Sequence, residues 1–262
     1  MKSLFVSGDS FTDPGLVSTE HDYKISTCWP DELAVLLPGD WEVTNSAYRG
    51  HGNDYIAKTF FDHITKVGVP DLVVLMWSGG GRIFLSDSEV VENNRPGSKS
   101  GYHVDPIGYH GLATNPNPNK KNRANDTVLA EFCARYYDRF YPEQYTAFSI
   151  DNFLKNVFIV QQYCKSNNIP YIFSQAVDLI MFDDISHMVD ACNYFINHHM
   201  ESHIDESKFI GWPLFKSIGG YNMCDSIKGT SYAIGARDSH PNDYGHKLIG
   251  EKIFNKWKQL YD

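Results

Sequence analysis

Residues 71–82 read DLVVLMWSGGGR, and this stretch decides the fold. The run from Leu72 to Trp77 is entirely apolar, as is typical of a central strand in a parallel sheet that helices cover on both faces. Glycines follow shortly after the run, which indicates a turn where the strand ends. The sequence therefore predicts a buried strand over 71–77 that opens into a loop at Ser78.

Strands and helices alternate on both sides of this strand. The patterns predict further strands at 4–6, 41–45 and 171–176, and helices at 30–37, 53–67, 126–140, 148–167, 186–203 and 244–260. Alternation of this kind is typical of an α/β protein. We predict a flavodoxin-like, three-layer α/β/α fold with a central parallel sheet of about five strands. In such sheets, ligands bind at the carboxyl ends of the strands.

One long segment does not fit the alternation. Residues 86–125 are rich in Asn, Pro, Gly and Ser, including NPNPN at 115–119. A structureless stretch of this length is unusual inside a compact domain. We predict a single domain over 1–262 with an irregular insertion at about 83–147, which acts either as a lid or substrate loop or as a simple spacer. The residues of the insertion that we expect to line a substrate pocket are Tyr102, Tyr109 and His110.

Composition and charge exclude several classes of protein. The chain has 262 residues, of which 42% are hydrophobic, and this composition is globular rather than disordered. Lys+Arg is 23 and Asp+Glu is 32, so the formal net charge is −9, which argues against a nucleic-acid partner. The apolar runs are shorter than the ~20 residues that span a bilayer. The apolar run at 4–6 is also too short for a signal peptide.

The cysteines indicate the redox compartment. There are five, which is an odd number, and none forms a C-x-x-C motif. Reduced thiols in a cytosol-like compartment fit this pattern better than a disulfide framework does.

The first candidate for chemistry is Ser10, in the segment Gly8-Asp9-Ser10 directly after the first predicted strand. A serine at this place can present its hydroxyl at the edge of the sheet. It is a poor nucleophile, however, until a base takes its proton. The alternative is that Ser10 only caps the next helix.

The second candidate is the segment Asp238-Ser239-His240-Pro241, just before the last predicted helix. An imidazole serves as the base for a serine when a carboxylate holds its other nitrogen. An Asp two residues before a His on a loop can supply both groups. The alternative is that His240 is an ordinary loop histidine. If the last helix packs beside the first strand, Ser10 and His240 meet across the whole chain.

The third candidate is Gly50, in the segment NSAYRGHGN at 45–53. A glycine after the second strand can offer its backbone N–H to a developing oxyanion, because no side chain blocks the approach. The alternative is a glycine that only joins a strand to a helix.

Taken together, these three segments resemble the sequence blocks of the SGNH (GDSL-type) hydrolases. The blocks occur in the family's order, and the resemblance covers about residues 1–80 and 165–262. It implies a three-layer α/β/α fold, hydrolysis of esters such as acetyl or acyl groups on sugars and lipids, and no cofactor. The expected partner is then a small-molecule or glycan ester.

The resemblance also implies roles for individual residues. Ser10 corresponds to the nucleophile, His240 to the base and Asp238 to the carboxylate that orients it. The N–H groups of Ser10 and Gly50 correspond to the oxyanion donors.

One block departs from the family pattern. After the third strand, the family usually has Gly-x-Asn-Asp, whose Asn donates to the oxyanion, whereas this chain has WSGGGR at 77–82. Loss of one such donor typically costs ~2.7–4 kcal/mol of transition-state stabilisation. Either Ser78, Asn53 or a glycine N–H replaces it, or the enzyme is weak or inactive. The stretch is similar to that of some phage-encoded relatives. Together with the reduced cysteines, this resemblance predicts a cytoplasmic or virion-associated protein.

Two further patterns are weaker indications. His199 and His203 are four residues apart in a predicted helix and could face one metal ion, but an exposed polar helix face is the simpler interpretation, and we predict no metal. Residues 78–81 could hold a phosphate, but they lack the Lys and the spacing of a nucleotide loop.

We therefore predict a serine-dependent acyl or acetyl esterase. The main alternative is a non-catalytic carbohydrate-binding or virion-associated module on the same scaffold, because the family Asn is missing and Trp and Tyr are abundant. A flavodoxin-like cofactor binder is a third alternative.

Overall fold

Five parallel strands form the central sheet, in the order β4-β1-β5-β8-β9. The computed structural model describes residues 1–15, 17–18, 23–80, 82–85, 102–104, 143–180 and 185–262. In chain order, the strands are β1 (Lys2–Ser7), β2 (Val17–Ser18), β3 (Tyr23–Lys24), β4 (Trp41–Asn45), β5 (Leu72–Trp77), β6 (Ile83–Leu85), β7 (Tyr102–Val104), β8 (Tyr171–Gln175), β9 (Phe209–Ile210), β10 (Ala233–Gly235) and β11 (Asp238–Pro241). The α-helices are α1 (Trp29–Leu36), α2 (Asn53–Lys66), α3 (Glu143–Ser166), α4 (Ile185–Ile196), α5 (Met223–Ile227) and α6 (Asp243–Tyr261).

The predicted α/β fold with a five-stranded parallel sheet is confirmed. Four of the strands match predicted segments, and β5 is buried at all six positions, as its apolar run indicated. The fifth strand, β9, was not predicted, because its two residues are too few to show an alternating pattern.

Helices cover the sheet on both faces and make it the middle of three layers. On one face, Phe5, Val73 and Trp77 pack with residues of α2 and α3. On the other face, Val6 and Val74 pack with residues of α1 and α6. Alternate residues of β1 and β5 thus enter opposite halves of the core, which explains why these strands have no polar face.

The predicted helix at 186–203 is wrong beyond residue 196. Helix α4 ends at Ile196, and a separate 3-10 turn forms at Glu201–His203. The backbone N–H and the side-chain amide of Asn197 both donate to the carbonyl of Asn193 at the helix end. His199 and His203 therefore do not lie on one helical face. No group of three or more potential metal ligands occurs within the described residues.

Much of the predicted insertion at 83–147 lies outside the described residues. Within it, β6 and β7 pair in antiparallel orientation, and α3 starts at Glu143. The predicted helix at 126–140, Tyr109, His110 and the side chain of Tyr102 lie outside the described residues. The single domain over 1–262 stays a prediction. None of the helices in the described ranges is long and apolar enough to cross a bilayer.

Candidate active site

Ser10 lies on a tight turn at the carboxyl end of β1. The turn is close to β5, because a β-carbon at Gly8 would lie 2.3 Å from Thr12 Oγ1 and 3.0 Å from the Met76 carbonyl oxygen. The Asp9 carbonyl accepts the N–H groups of Thr12 and Asp13, both at 3.0 Å. Ser10 is thereby held at the edge of the sheet, with 7% of its surface exposed.

His240 lies on β11, directly before α6. The sequence predicted a loop here, whereas β11 pairs with β10 as a short antiparallel hairpin. The side chain of Asn242 caps α6 by accepting the Gly245 N–H at 3.0 Å, and it also donates to the Ala233 carbonyl. The hairpin is thus fixed to the start of α6, because one residue binds both.

Helix α6 brings this hairpin to the beginning of the chain. A β-carbon at Gly250 would lie 3.0 Å from Glu32 Cβ and 3.3 Å from the Trp29 carbonyl oxygen, so α6 packs closely on α1. At its first turn, Asp243 accepts the hydroxyl of Ser26 at 2.6 Å. These contacts place His240 beside Ser10.

Ser10, His240 and Asp238 form a continuous chain of hydrogen bonds. Ser10 Oγ lies 2.8 Å from His240 Nε2, and His240 Nδ1 lies 2.6 Å from Asp238 Oδ1. The same carboxylate oxygen accepts the His240 backbone N–H at 3.1 Å. An ionised carboxylate can only accept, so Nδ1 carries the ring proton and Nε2 accepts from the serine hydroxyl. In this arrangement the imidazole can take the Ser10 proton.

Gly50 lies in the loop after β4, which is attached to the Ser10 turn. Gly50 has a φ of +78°, and nothing lies within 4 Å of the place that a β-carbon would occupy. The Tyr48 N–H donates to the Gly8 carbonyl at 3.2 Å, which extends the pairing of β1 and β4 into the loop. Among the described residues, the N–H groups of Ser10 and Gly50 form no backbone hydrogen bond.

An ion pair also joins these two loops. Asp13 Oδ2 accepts the backbone N–H of Arg49 at 3.1 Å and its Nε–H at 3.0 Å. The other carboxylate oxygen accepts the Gly15 N–H, and Arg49 also donates to the Gly15 carbonyl. The pair therefore restrains the residue directly before Gly50.

Ser78 and Asn53, the predicted substitutes for the family Asn, are buried and bound to each other. Asn53 accepts the Ser78 N–H at 2.8 Å and donates to the Ser78 carbonyl at 3.1 Å. The Ser78 hydroxyl donates to Asp9 Oδ2 at 2.8 Å. An oxyanion role for either side chain stays a prediction. In this structure, the Asn53 amide donates to the Ser78 carbonyl and the Ser78 hydroxyl donates to Asp9.

Sequence reasoning missed the charged residues that hold the loops. They are Asp9, Asp13, Arg49 and Arg82, and each forms an ion pair at the edge of the sheet. The available signal was position: two acidic residues flank Ser10 at short distance, and each arginine lies in a glycine-rich segment after a strand.

A second histidine, His246 on α6, is completely buried. Its Nδ1 lies 3.8 Å from Cys28 Sγ and accepts the Trp29 N–H at 3.4 Å. Burial lowers the pKa of His246 to about 4. Burial, with Asp31 nearby, raises the pKa of the Cys28 thiol far above its ordinary value.

Comparison with solved structures identifies the fold. The chain is similar to TesA, with 13% identity, a TM-score of 0.51 and coverage of 99% of each chain. It is also similar to the psychrotrophic esterase EstA from Pseudoalteromonas sp., with 11% identity, a TM-score of 0.50 and coverage of 99% of this chain and 98% of EstA. At these identities the similarity concerns the fold alone, which is that of the SGNH hydrolases.

Comparison at the sequence level gives a family. No curated protein matches the chain. The sequence model of a family of unknown function, DUF6071, matches residues 6–261, which include Ser10, Gly50 and the Asp238–His240 segment. Since the match extends over nearly the whole chain, the protein belongs to the DUF6071 family.

Proposed function

We propose that the protein is a serine-dependent carboxylic ester hydrolase, an acyl or acetyl esterase. Ser10 is the nucleophile, His240 the general base, and Asp238 the carboxylate that orients the imidazole. The observation that carries the proposal is the hydrogen-bond chain, with 2.8 Å between Ser10 Oγ and His240 Nε2 and 2.6 Å between His240 Nδ1 and Asp238 Oδ1. These distances lie within the range required of a nucleophile and its base.

The reaction proceeds in two steps. Ser10 Oγ attacks the ester carbonyl carbon while its proton moves to His240 Nε2, and the carbonyl oxygen becomes an oxyanion. Collapse of this intermediate breaks the bond to the alcohol, which leaves with the proton from His240. Water then attacks the acyl-serine by the same route and releases the acid. Asp238 stabilises the imidazolium that forms in both steps.

The N–H groups of Ser10 and Gly50 are the proposed oxyanion donors. Backbone N–H groups that are held in place stabilise charge without reorganisation at the moment of reaction. Among the described residues, the Gly50 N–H donates to no backbone carbonyl, and the space beside its α-carbon is open, which supports this role. The reaction as written requires no cofactor, and its substrate is a small-molecule or glycan ester. A phage origin and a cytoplasmic or virion location stay predictions.

A fluorophosphonate probe tests the proposal. EstA is described as inhibited by monoethylphosphonate, which supports the choice of a phosphorus reagent. We expect the probe to label Ser10 in the wild-type protein and not to label Ser10→Ala. The matched control is Ser231→Ala, which removes an exposed serine and should label as the wild type does.

Two outcomes would contradict the proposal. One is labelling that persists in Ser10→Ala. The other is a wild-type protein that takes no label and hydrolyses no ester in a panel of nitrophenyl esters and acetylated sugars. Binding of a sugar in that panel without turnover would favour the carbohydrate-binding alternative.

A further inference from the structure

Arg82 follows β5, and its guanidinium contacts all three loops around Ser10. Nη1 lies 3.1 Å from Asp9 Oδ2, 2.7 Å from Ser78 Oγ and 3.3 Å from the His51 carbonyl oxygen. These acceptors belong to the loops after β1, β5 and β4, respectively. A single charged group therefore connects three strand ends at the edge of the sheet where Ser10 lies.

The ion pair between Arg82 and Asp9 is largely removed from water. The Asp9 side chain is 0% exposed and that of Arg82 is 25% exposed. Asp9 also accepts the Phe11 N–H at 3.0 Å and the Ser78 hydroxyl at 2.8 Å, so both of its oxygens are bound. Charge-assisted hydrogen bonds are strong at such a place, and removal of one partner leaves a buried charge. The relative positions of the Asp9 carboxylate and the Arg82 guanidinium are therefore strongly restrained.

The main chain of Arg82 also packs on the loop after β4. A β-carbon at Gly52 would lie 2.4 Å from the Arg82 carbonyl oxygen, so the two backbones meet where only glycine fits. Arg82 thus contacts this loop twice, through its side chain at His51 and through its main chain at Gly52. Gly50 lies directly before this double contact.

We propose that Arg82 is a positioning residue for the oxyanion hole, an inference that rests on the ester hydrolysis proposed above. Asp9 precedes Ser10, and His51 follows Gly50, so Arg82 connects the neighbours of both N–H donors. Groups that bind the oxyanion act on the transition state rather than on the bound ester. Loss of Arg82 therefore lowers kcat and leaves KM nearly unchanged.

Steady-state hydrolysis of p-nitrophenyl acetate tests this inference. Removal of a direct oxyanion donor lowers kcat by ~10²–10³, so the indirect change Arg82→Ala should lower kcat by about 10- to 100-fold, with KM within about threefold of wild type. Added ethylguanidinium should restore part of the lost kcat, whereas tetramethylammonium at the same concentration should not. Arg82→Lys keeps the charge but not the planar fork, so its kcat should lie between those of wild type and Arg82→Ala.

Two further variants separate positioning from folding. Gly52→Ala displaces the Arg82 main chain and should lower kcat although the arginine remains. Lys58→Gln breaks an exposed ion pair with Asp62 on α2 and should leave kcat and KM at their wild-type values. Thermal unfolding of each variant identifies those that are folded. If Arg82→Ala does not fold, the kcat values of Arg82→Lys and Gly52→Ala test the inference instead.

The outcomes that overturn the inference are distinct from those that overturn the function. A folded Arg82→Ala with wild-type kcat, or one in which only KM rises, would overturn the positioning role. Full activity in both Arg82→Lys and Gly52→Ala would do the same. A wild-type protein that hydrolyses no ester and takes no phosphonate label would overturn the proposed function, and the inference with it.

Discussion

Two histidines of this protein each lie beside a potential nucleophile, and the two pairs differ in distance, exposure and hydrogen-bond partners. His240 lies 2.8 Å from Ser10 and 2.6 Å from the carboxylate of Asp238, and its side chain is 33% exposed. His246 lies 3.8 Å from Cys28 and is completely buried. Among the described residues, no hydrogen-bond partner reaches the Nε2 of His246.

The difference indicates that proximity of a nucleophile and an imidazole does not by itself favour proton transfer between them. Burial disfavours both the thiolate and the imidazolium, so it raises the pKa of Cys28 and lowers that of His246 to about 4. Proton transfer between these two would separate charge in an apolar region. In the mechanism proposed for Ser10, by contrast, Asp238 stabilises the imidazolium that the transfer forms.

Substitution of the two potential nucleophiles should affect kcat very differently. Ser10→Ala should lower kcat for nitrophenyl esters by about 10⁶-fold, because it removes the hydroxyl that forms the proposed acyl intermediate. Cys28→Ala should leave kcat within about twofold of wild type and cost about 1 kcal/mol of stability. Parallel kinetics and urea unfolding measure both effects. Similar losses of kcat in the two variants would contradict the distinction.

A second prediction concerns Asp238, whose carboxylate binds the ring of His240. In Asp238→Asn, the amide can donate to His240 Nδ1, which places the ring proton on Nε2 and prevents it from accepting the Ser10 proton. We expect kcat to fall by about 10⁴-fold while the fold is kept. Single-turnover kinetics and circular dichroism test this. A loss below about tenfold would mean that Asp238 does not orient the base.

The smallest effect concerns the pH dependence of stability at His246. Its pKa is about 4 in the folded protein, compared with 6.5 for an ordinary histidine, so the unfolded chain binds more protons between these values. The contribution is therefore complete above about pH 6.5 and decreases as the pH falls towards 4. One pKa unit corresponds to about 1.4 kcal/mol, so the total decrease is about 3 kcal/mol.

Urea unfolding between pH 4.5 and 7 tests this prediction against His246→Gln. Glutamine can accept the Trp29 N–H but does not titrate, so the variant should lose less stability than the wild type as the pH falls. Asp243 favours the charged form of His246 and His240 opposes it, and both remain in the variant. Equal pH dependence of the two proteins would contradict the prediction.

The pattern of the sequence by itself determined the α/β class and most of the sheet. The uninterrupted apolar run of β5 and the alternation of strands with helices are local features, so they can be read without coordinates. The pairing of Asp238 with His240 is also local, because two residues on one short segment can form it. By contrast, β9 depends on pairing with the distant strand β8, and its two residues left no clear pattern.

Only the tertiary structure decided which distant residues meet. Ser10 and His240 are separated by 230 positions, and their contact depends on α6 packing on α1. Arg82 meets Asp9 and His51 because three parallel strands end at one edge, although no spacing in the sequence indicates this ion pair. Hydrophobic periodicity records which residues are buried. It does not record which buried or charged groups face one another, since that depends on how the layers are assembled.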